Sequence, residues 1–134
     1  MFKIFDIAGS GMSAQQVRLN TVASNLANAG DVAGSPEEVY RSRQPVFSTF
    51  ADALGDASSV GVHVRGIVES TAPPTQQYSP GHPQANEDGY VFSSNVNTVE
   101  EMVNMMSASR SYQNNIEVLN TSKELMMRTL TMGQ

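Results

Sequence analysis

Apolar residues fall on a three-four spacing at both ends of the chain and on a two-residue alternation in the middle. Near the N-terminus, Phe5, Ala8, Met12, Gln15, Leu19, Val22, Leu26 and Ala29 form a seam in which seven of eight positions are apolar. The spacing predicts a helix over 13–29, opened by Ser13 with Gln16 as a capping box and stopped by Gly30 as a C-cap glycine. Gly9 and Gly11 each cost about 1 kcal/mol against alanine, so residues 4–11 are expected to be helical only if packed. A second seam runs through Met102, Met105, Ser109, Tyr112, Ile116, Leu119, Lys123, Met126, Leu130 and Gly133, seven of ten apolar. It predicts a helix from Val99 to Met132, about 50 Å long at a rise of about 1.5 Å per residue. Thr98 and Glu101 read as its capping box, and Glu100 and Glu101 suit the positive end of its dipole.

Between these seams the period changes. Val60, Val62 and Val64 alternate with Gly61, His63 and Arg65, as in a half-buried strand. Shorter strands are expected around Val46-Phe47 and Phe50, over 76–79 and over 90–92. Ser79-Pro-Gly-His-Pro and Asn86-Glu-Asp-Gly supply turns between them. All six prolines lie from Pro36 to Pro83, which leaves both ends free for long helices. The expected fold is α+β: long N- and C-terminal helices pair as an antiparallel coiled coil, with a small antiparallel β module inserted. Residues 1–33 and 96–134 form the two halves of the helical part, and 34–95 the module.

One partner helix covers one seam, and a rod of that length cannot bury its own. A flanking stripe of Val99, Met106 and Met127 asks for a second neighbour, while Ser109 and Lys123 interrupt the seam and help select a register. The chain is therefore expected to be completed by other subunits. The interface is expected to use Met12, Leu19, Val22, Leu26, Met102, Met105, Met106, Tyr112, Ile116, Leu119, Met126 and Leu130. Leu26, Met105, Ile116 and Leu119 are expected to carry much of the assembly energy. Asn20, Asn25 and Asn28 place amides on the first helix that either bond to neighbouring chains or face water.

Composition narrows the chemistry. The chain has 134 residues, no cysteine and a net charge of −5, of which −4 falls on residues 67–134. That length holds one domain, or one small domain with long helices. Without cysteine there is no disulfide, thiolate zinc site or thiol nucleophile. The acidic balance argues against nucleic acid as a partner. The run from Ala8 to Val17 is rich in Ser, Gln and Gly and too polar to span a bilayer, so no membrane insertion is expected. One lysine and no sustained apolar stretch at the N-terminus give no cleavable signal peptide. His63 and His82 are the only histidines, one on a strand and one in a proline-rich turn, too few for a metal site without a carboxylate cluster. Gly9-Ser10-Gly11 lacks the Lys-Ser/Thr ending and preceding strand of a phosphate loop. The pairs Glu37-Glu38, Glu87-Asp88 and Glu100-Glu101 are sequence neighbours, which does not place them across a substrate. No enzyme activity, cofactor or metal is expected.

Longer stretches carry a family resemblance. Phe5-Asp-Ile-Ala-Gly-Ser-Gly-Met-Ser-Ala-Gln and Arg18-Leu-Asn-Thr-Val-Ala-Ser-Asn-Leu-Ala-Asn-Ala resemble the N-terminal signature of bacterial flagellar rod, hook and filament-axis proteins. Tyr78-Ser-Pro-Gly-His-Pro-Gln-Ala-Asn-Glu-Asp-Gly-Tyr-Val and Asn95-Val-Asn-Thr-Val-Glu-Glu-Met-Val-Asn-Met-Met narrow it to the proximal-rod subunits of the basal body. Val118-Leu-Asn-Thr-Ser-Lys and the ending Thr129-Leu-Thr-Met-Gly-Gln continue the likeness. The chain departs from many axial relatives at Gly30-Asp-Val-Ala-Gly-Ser, where they carry Thr-Pro-Gly-Tyr, and at Ser93-Ser94. The resemblance implies a structural subunit of the drive shaft that spans the periplasm and carries torque from motor to hook, with terminal helices in an inner tube and the β module outside. It implies as partners copies of the chain itself, other rod proteins, the hook-basal-body adapter and the flagellar type III export apparatus, with export and no cleaved signal peptide. Two other readings are a free-standing coiled-coil adapter or chaperone of a secretion system, and a small cell-wall hydrolase using a carboxylate pair.

Overall fold

Helix α1 (Phe2–Ala27) and helix α2 (Thr98–Met132) bracket five strands: β1 (Val32–Ala33), β2 (Arg43–Ala51), β3 (Val60–Glu69), β4 (Thr75–Tyr78) and β5 (Tyr90–Ser93). The computed structural model describes residues 2–51 and 60–134. The class is α+β, as the periodicities require. The helices are antiparallel: Asn25 hydrogen-bonds Glu101, and Gly11 lies against Asn115, so numbers of residues at one level sum to 126.

Helix α1 starts far earlier than Ser13, which sits in mid-helix. The packing condition on its first turns is met, because Ala8 is buried and Ser10 ties the helix to a strand. Ser10 Oγ donates to the Ile7 carbonyl at 2.7 Å and accepts the Val62 amide at 3.0 Å. At its other end α1 does not stop on a left-handed glycine. Among the described residues only Gly89 has positive φ, at 81°. The helix unwinds through a turn over 28–30, and Asn28 Nδ2 covers the Ser24 carbonyl at 2.8 Å. The cap of α2 also differs from expectation. Asn97, not Thr98, is the N-cap, accepting from the Val99 and Glu100 amides at 3.1 and 3.2 Å. Asparagine caps at least as well as threonine, and Glu101 is drawn away to a tertiary partner.

Strands β2 and β3 form a two-stranded antiparallel ribbon, with Arg43 opposite Glu69 and Ala51 opposite Val60. The pairing jumps from Val46–Gly66 to Phe47–Val64, so Arg65 is the extra residue of a bulge, which bends and twists the ribbon. Strand β5 is the centre of a second sheet between β1 and β4. The loop into β5 is built by Asn86, whose Oδ1 accepts the Asp88 and Tyr90 amides at 3.1 and 2.9 Å. Gly89 closes this turn where a side chain would be strained and would meet the Tyr78 ring.

Packing is thin. Among the described residues the buried apolar ones are Ala8, Ala14, Val22, Ala33, Val39, Val91 and Ala108, and the buried polar ones include Thr21, Asn25, Ser42, Ser94, Glu101 and Ser122. On α2 the buried line is Glu101, Ala108 and Ser122, spaced by seven, with Asn115 between them against Gly11. The pairing seam is thus small and polar, offset by one residue from the methionine-rich seam of the sequence pattern. A Cβ on Gly11 would stand 2.9 Å from Asn115 Nδ2, so a larger residue there has to displace that amide.

Candidate assembly surface and the polar joint behind it

Asn25 lies where four segments meet. It is 0 % exposed and is the largest fully buried side chain among the described residues. Its Nδ2 donates to the Arg43 carbonyl at 2.8 Å and to Glu101 Oε2 at 3.1 Å. Its Oδ1 accepts the Tyr40 hydroxyl at 2.7 Å and the Arg43 amide at 3.0 Å. A primary amide offers two donors and two lone pairs, and all four are used. One side chain therefore joins α1 to α2, to the start of β2 and to the segment before it. Burying amide and carboxylate groups is tolerable only with their hydrogen bonds made.

The surroundings brace the joint. Tyr40 hydroxyl also lies 3.1 Å from Ser24 Oγ, and the Tyr40 amide donates to Asp31 Oδ2 at 2.8 Å. The Arg43 guanidinium sits 5.4 Å above the Tyr40 ring and 3.5 Å from Glu69. A second amide, Asn95, accepts the Ser42 amide at 2.7 Å and donates to the Ala72 carbonyl at 2.9 Å. Asn25 spends all its capacity inside its own chain, which overturns the expectation that it bonds to a neighbour. Asn28 bonds within its own helix, and Asn20 is exposed. Sequence reasoning did not single out Tyr40 or Arg43 and took Glu101 as a cap. The available signal was Asn25 itself, a polar residue set between Val22 and Ala29 on an apolar stripe.

The residues expected at an interface fall into three groups. Val22, at 4 % exposed, is inside the chain. Met12, Leu19, Leu26, Met105, Tyr112, Ile116, Leu119 and Met126 are half-buried. Met102, Met106 and Leu130 stand open at 56 %, 65 % and 63 %. At about 100° per residue, Met12, Leu19 and Leu26 flank the pairing line on one side of α1. Met105, Tyr112, Ile116 and Leu119 flank it on the same side of α2. Ser10 and Ser24 turn to the opposite side, toward Val62 and Tyr40. Val99, Met102, Val103 and Met106 lie on a third surface, the outward face of α2 opposite Glu101 and Ala108, and all four are exposed.

Other groups with chemical potential are accounted for locally. His63 is exposed on β3 with Ser48 Oγ 2.9 Å from its Nε2, and His82 Nδ1 accepts the Gln84 amide at 3.1 Å. Glu100 and Glu101 diverge, one exposed and one buried. An open cleft of ≈ 390 Å³ beside the joint is lined by Arg18, Val22, Arg43, Phe47, Glu101 and Asn104 among others, with no histidine or hydroxyl among the described residues of its wall. Among the described residues no three His, Cys, Asp or Glu side chains gather as a metal site. Among the described residues no helix is long and apolar enough to cross a membrane.

Known proteins match both the helical frame and the whole chain. Residues 5–34 fit the family model described as flagella basal body rod protein, and residues 87–132 fit the flagellar basal body rod FlgEFG protein C-terminal model. These spans hold most of α1 with β1, and β5 with α2. Over all 134 residues the chain is 54 % identical to the flagellar basal-body rod protein FlgC of Salmonella typhimurium, covering 98 % of it. It is 53 % identical to the protein of that name from Escherichia coli O6:H1, with the same coverage. The Buchnera aphidicola protein from Acyrthosiphon pisum is 43 % identical over 136 aligned positions, with 100 % of this chain and 98 % of that protein covered.

Proposed function

This chain belongs to the flagellar basal-body rod protein family, and we propose from that premise that it builds the proximal segment of the rod, where it transmits torque as one of many interlocked helices. It is a structural subunit of the rod, located in the flagellar basal body, and works in contact with other rod components. In this reading its partners are further copies of itself, other rod proteins, the hook-basal-body adapter and the type III export apparatus. It is exported without a cleaved signal peptide, lies in the periplasm-spanning shaft and catalyses nothing. Residues 1–33 and 96–134 form the inner helical layer, and 34–95 the outer module.

The carrying observation is the excess of large apolar side chains that the chain does not cover. Its own core is alanine, valine and hydrogen-bonded polar groups, while Met102, Val103, Met106, Leu125, Met127 and Leu130 remain exposed. A free-standing adapter would gain nothing from that exposure, whereas a tube subunit covers it on assembly. The interface of this proposal is Met12, Leu19, Val22, Leu26, Met102, Met105, Met106, Tyr112, Ile116, Leu119, Met126 and Leu130, with Val22 acting from within by holding α1. Truncating a Leu or Ile that becomes buried costs roughly 2–5 kcal/mol. Leu119→Ala is therefore expected to impair incorporation into rods before it reduces the amount of protein made. Met106→Asp, at an open position, should leave the fold intact and block incorporation. A strain carrying Leu119→Asp that builds normal flagella and swims would overturn the proposal.

A further inference from the structure

The register of the helix pair leaves complementary features at the two ends of α2. With level pairs summing to 126, Phe2 is level with Glu124, so Leu125–Met132 runs about 12 Å past it. Burial agrees: Ser122 is the last buried residue of α2, and Leu125, Met127, Leu130 and Met132 are exposed. At the other end of the same helix, the exposed patch Val99, Met102, Val103 and Met106 is about 11 Å long. Charge is complementary too. Arg128 is the one charged residue from 125 to 134, and Glu100 is the exposed acid beside the patch. The helix dipole adds the same preference, partial negative charge at the protruding end and partial positive charge at the start.

We propose that the protruding end of α2, Leu125–Met132, seats on the outward first two turns of α2, Val99–Met106, in a second copy of this chain, with the two helices parallel and Arg128 facing Glu100. Matching the apolar stretches brings 126 level with 100 and 132 level with 106, so Arg128 and Glu100 are offset by about 3 Å along the axis. The occupant is a second copy because the surface that fits the protruding end by length, polarity and charge is on the chain itself. Such a contact joins two different surfaces and therefore propagates as an open series instead of closing as a dimer. This deepens, and rests on, the reading of the chain as a rod subunit.

The chain has no cysteine, which makes cross-linking clean. In the whole chain, Val103→Cys and Thr129→Cys are both at exposed positions, level with each other and in the middle of this contact. The double variant under mild oxidation is expected to give a ladder of disulfide-linked oligomers. An equal mixture of the two single variants should give only the mixed dimer, and each single variant alone should give none. Arg128→Glu or Glu100→Arg in the same background should cut the cross-linked yield more than threefold, and combining both swaps should recover most of it. Dimers from either single variant alone would overturn the proposal by showing a symmetric contact. So would the absence of a ladder at high concentration, or a yield insensitive to both swaps. Basal bodies separate this failure from that of the underlying reading. Absence of the unmodified chain from purified basal bodies removes the rod assignment, whereas normal incorporation of both single charge swaps removes only the head-to-tail contact.

Discussion

Replacing Asn25 by alanine tests whether the polar joint holds the helix pair to the β module. The substitution removes four hydrogen bonds at once, to Arg43 N and O, to the Tyr40 hydroxyl and to Glu101. Neutral bonds are worth about 0.5–1.5 kcal/mol each, the bond to a carboxylate about 1.5–3 kcal/mol, and a buried partner left unpaired adds a similar penalty. Tyr40 retains Ser24 as a neighbour, so part of this loss is recovered. The expected net cost is about 3–5 kcal/mol, a large share of the roughly 5–15 kcal/mol that stabilises a small domain. Urea denaturation followed by far-UV circular dichroism measures it, with the slope checked for constancy. Asn25→Asp keeps the shape but removes both amide donors and sets a second carboxylate beside Glu101, so it should cost more than alanine. A loss below about 1 kcal/mol for Asn25→Ala, or a milder effect of aspartate than of alanine, would refute the reasoning.

Two further expectations concern the helices. Gly9 has open space around its Cα, so Gly9→Ala should stabilise the chain by about 0.5–1 kcal/mol, whereas Gly11→Ala must displace Asn115 and should gain distinctly less; melting of the two variants side by side decides it. Asn97→Ala should cost about 1 kcal/mol through loss of the α2 cap, and Thr98→Ala less than half of that, readable from denaturation midpoints.

The sequence by itself determined what repeats locally. Three-four spacing placed two helices at the chain ends, and alternation at Val60, Val62 and Val64 placed a strand. Asn86 and Gly89 placed the turn before β5, because that backbone shape needs their particular chemistry. These features depend on neighbours within a few residues. Tertiary structure decided which face of α2 meets α1. The pattern favoured the largest apolar residues, yet Glu101, Ala108 and Ser122 took the buried seam, with Asn115 against Gly11, while Met105 and Met126 flanked it half-buried and Met102, Met106 and Met127 stayed exposed. It also decided the role of Asn25, whose partners lie 18 and 76 residues away. Periodicity records which residues share a helix face but carries no information on how near the next backbone comes, and that distance selects between a packed seam, a buried hydrogen-bond joint and a surface left for another chain.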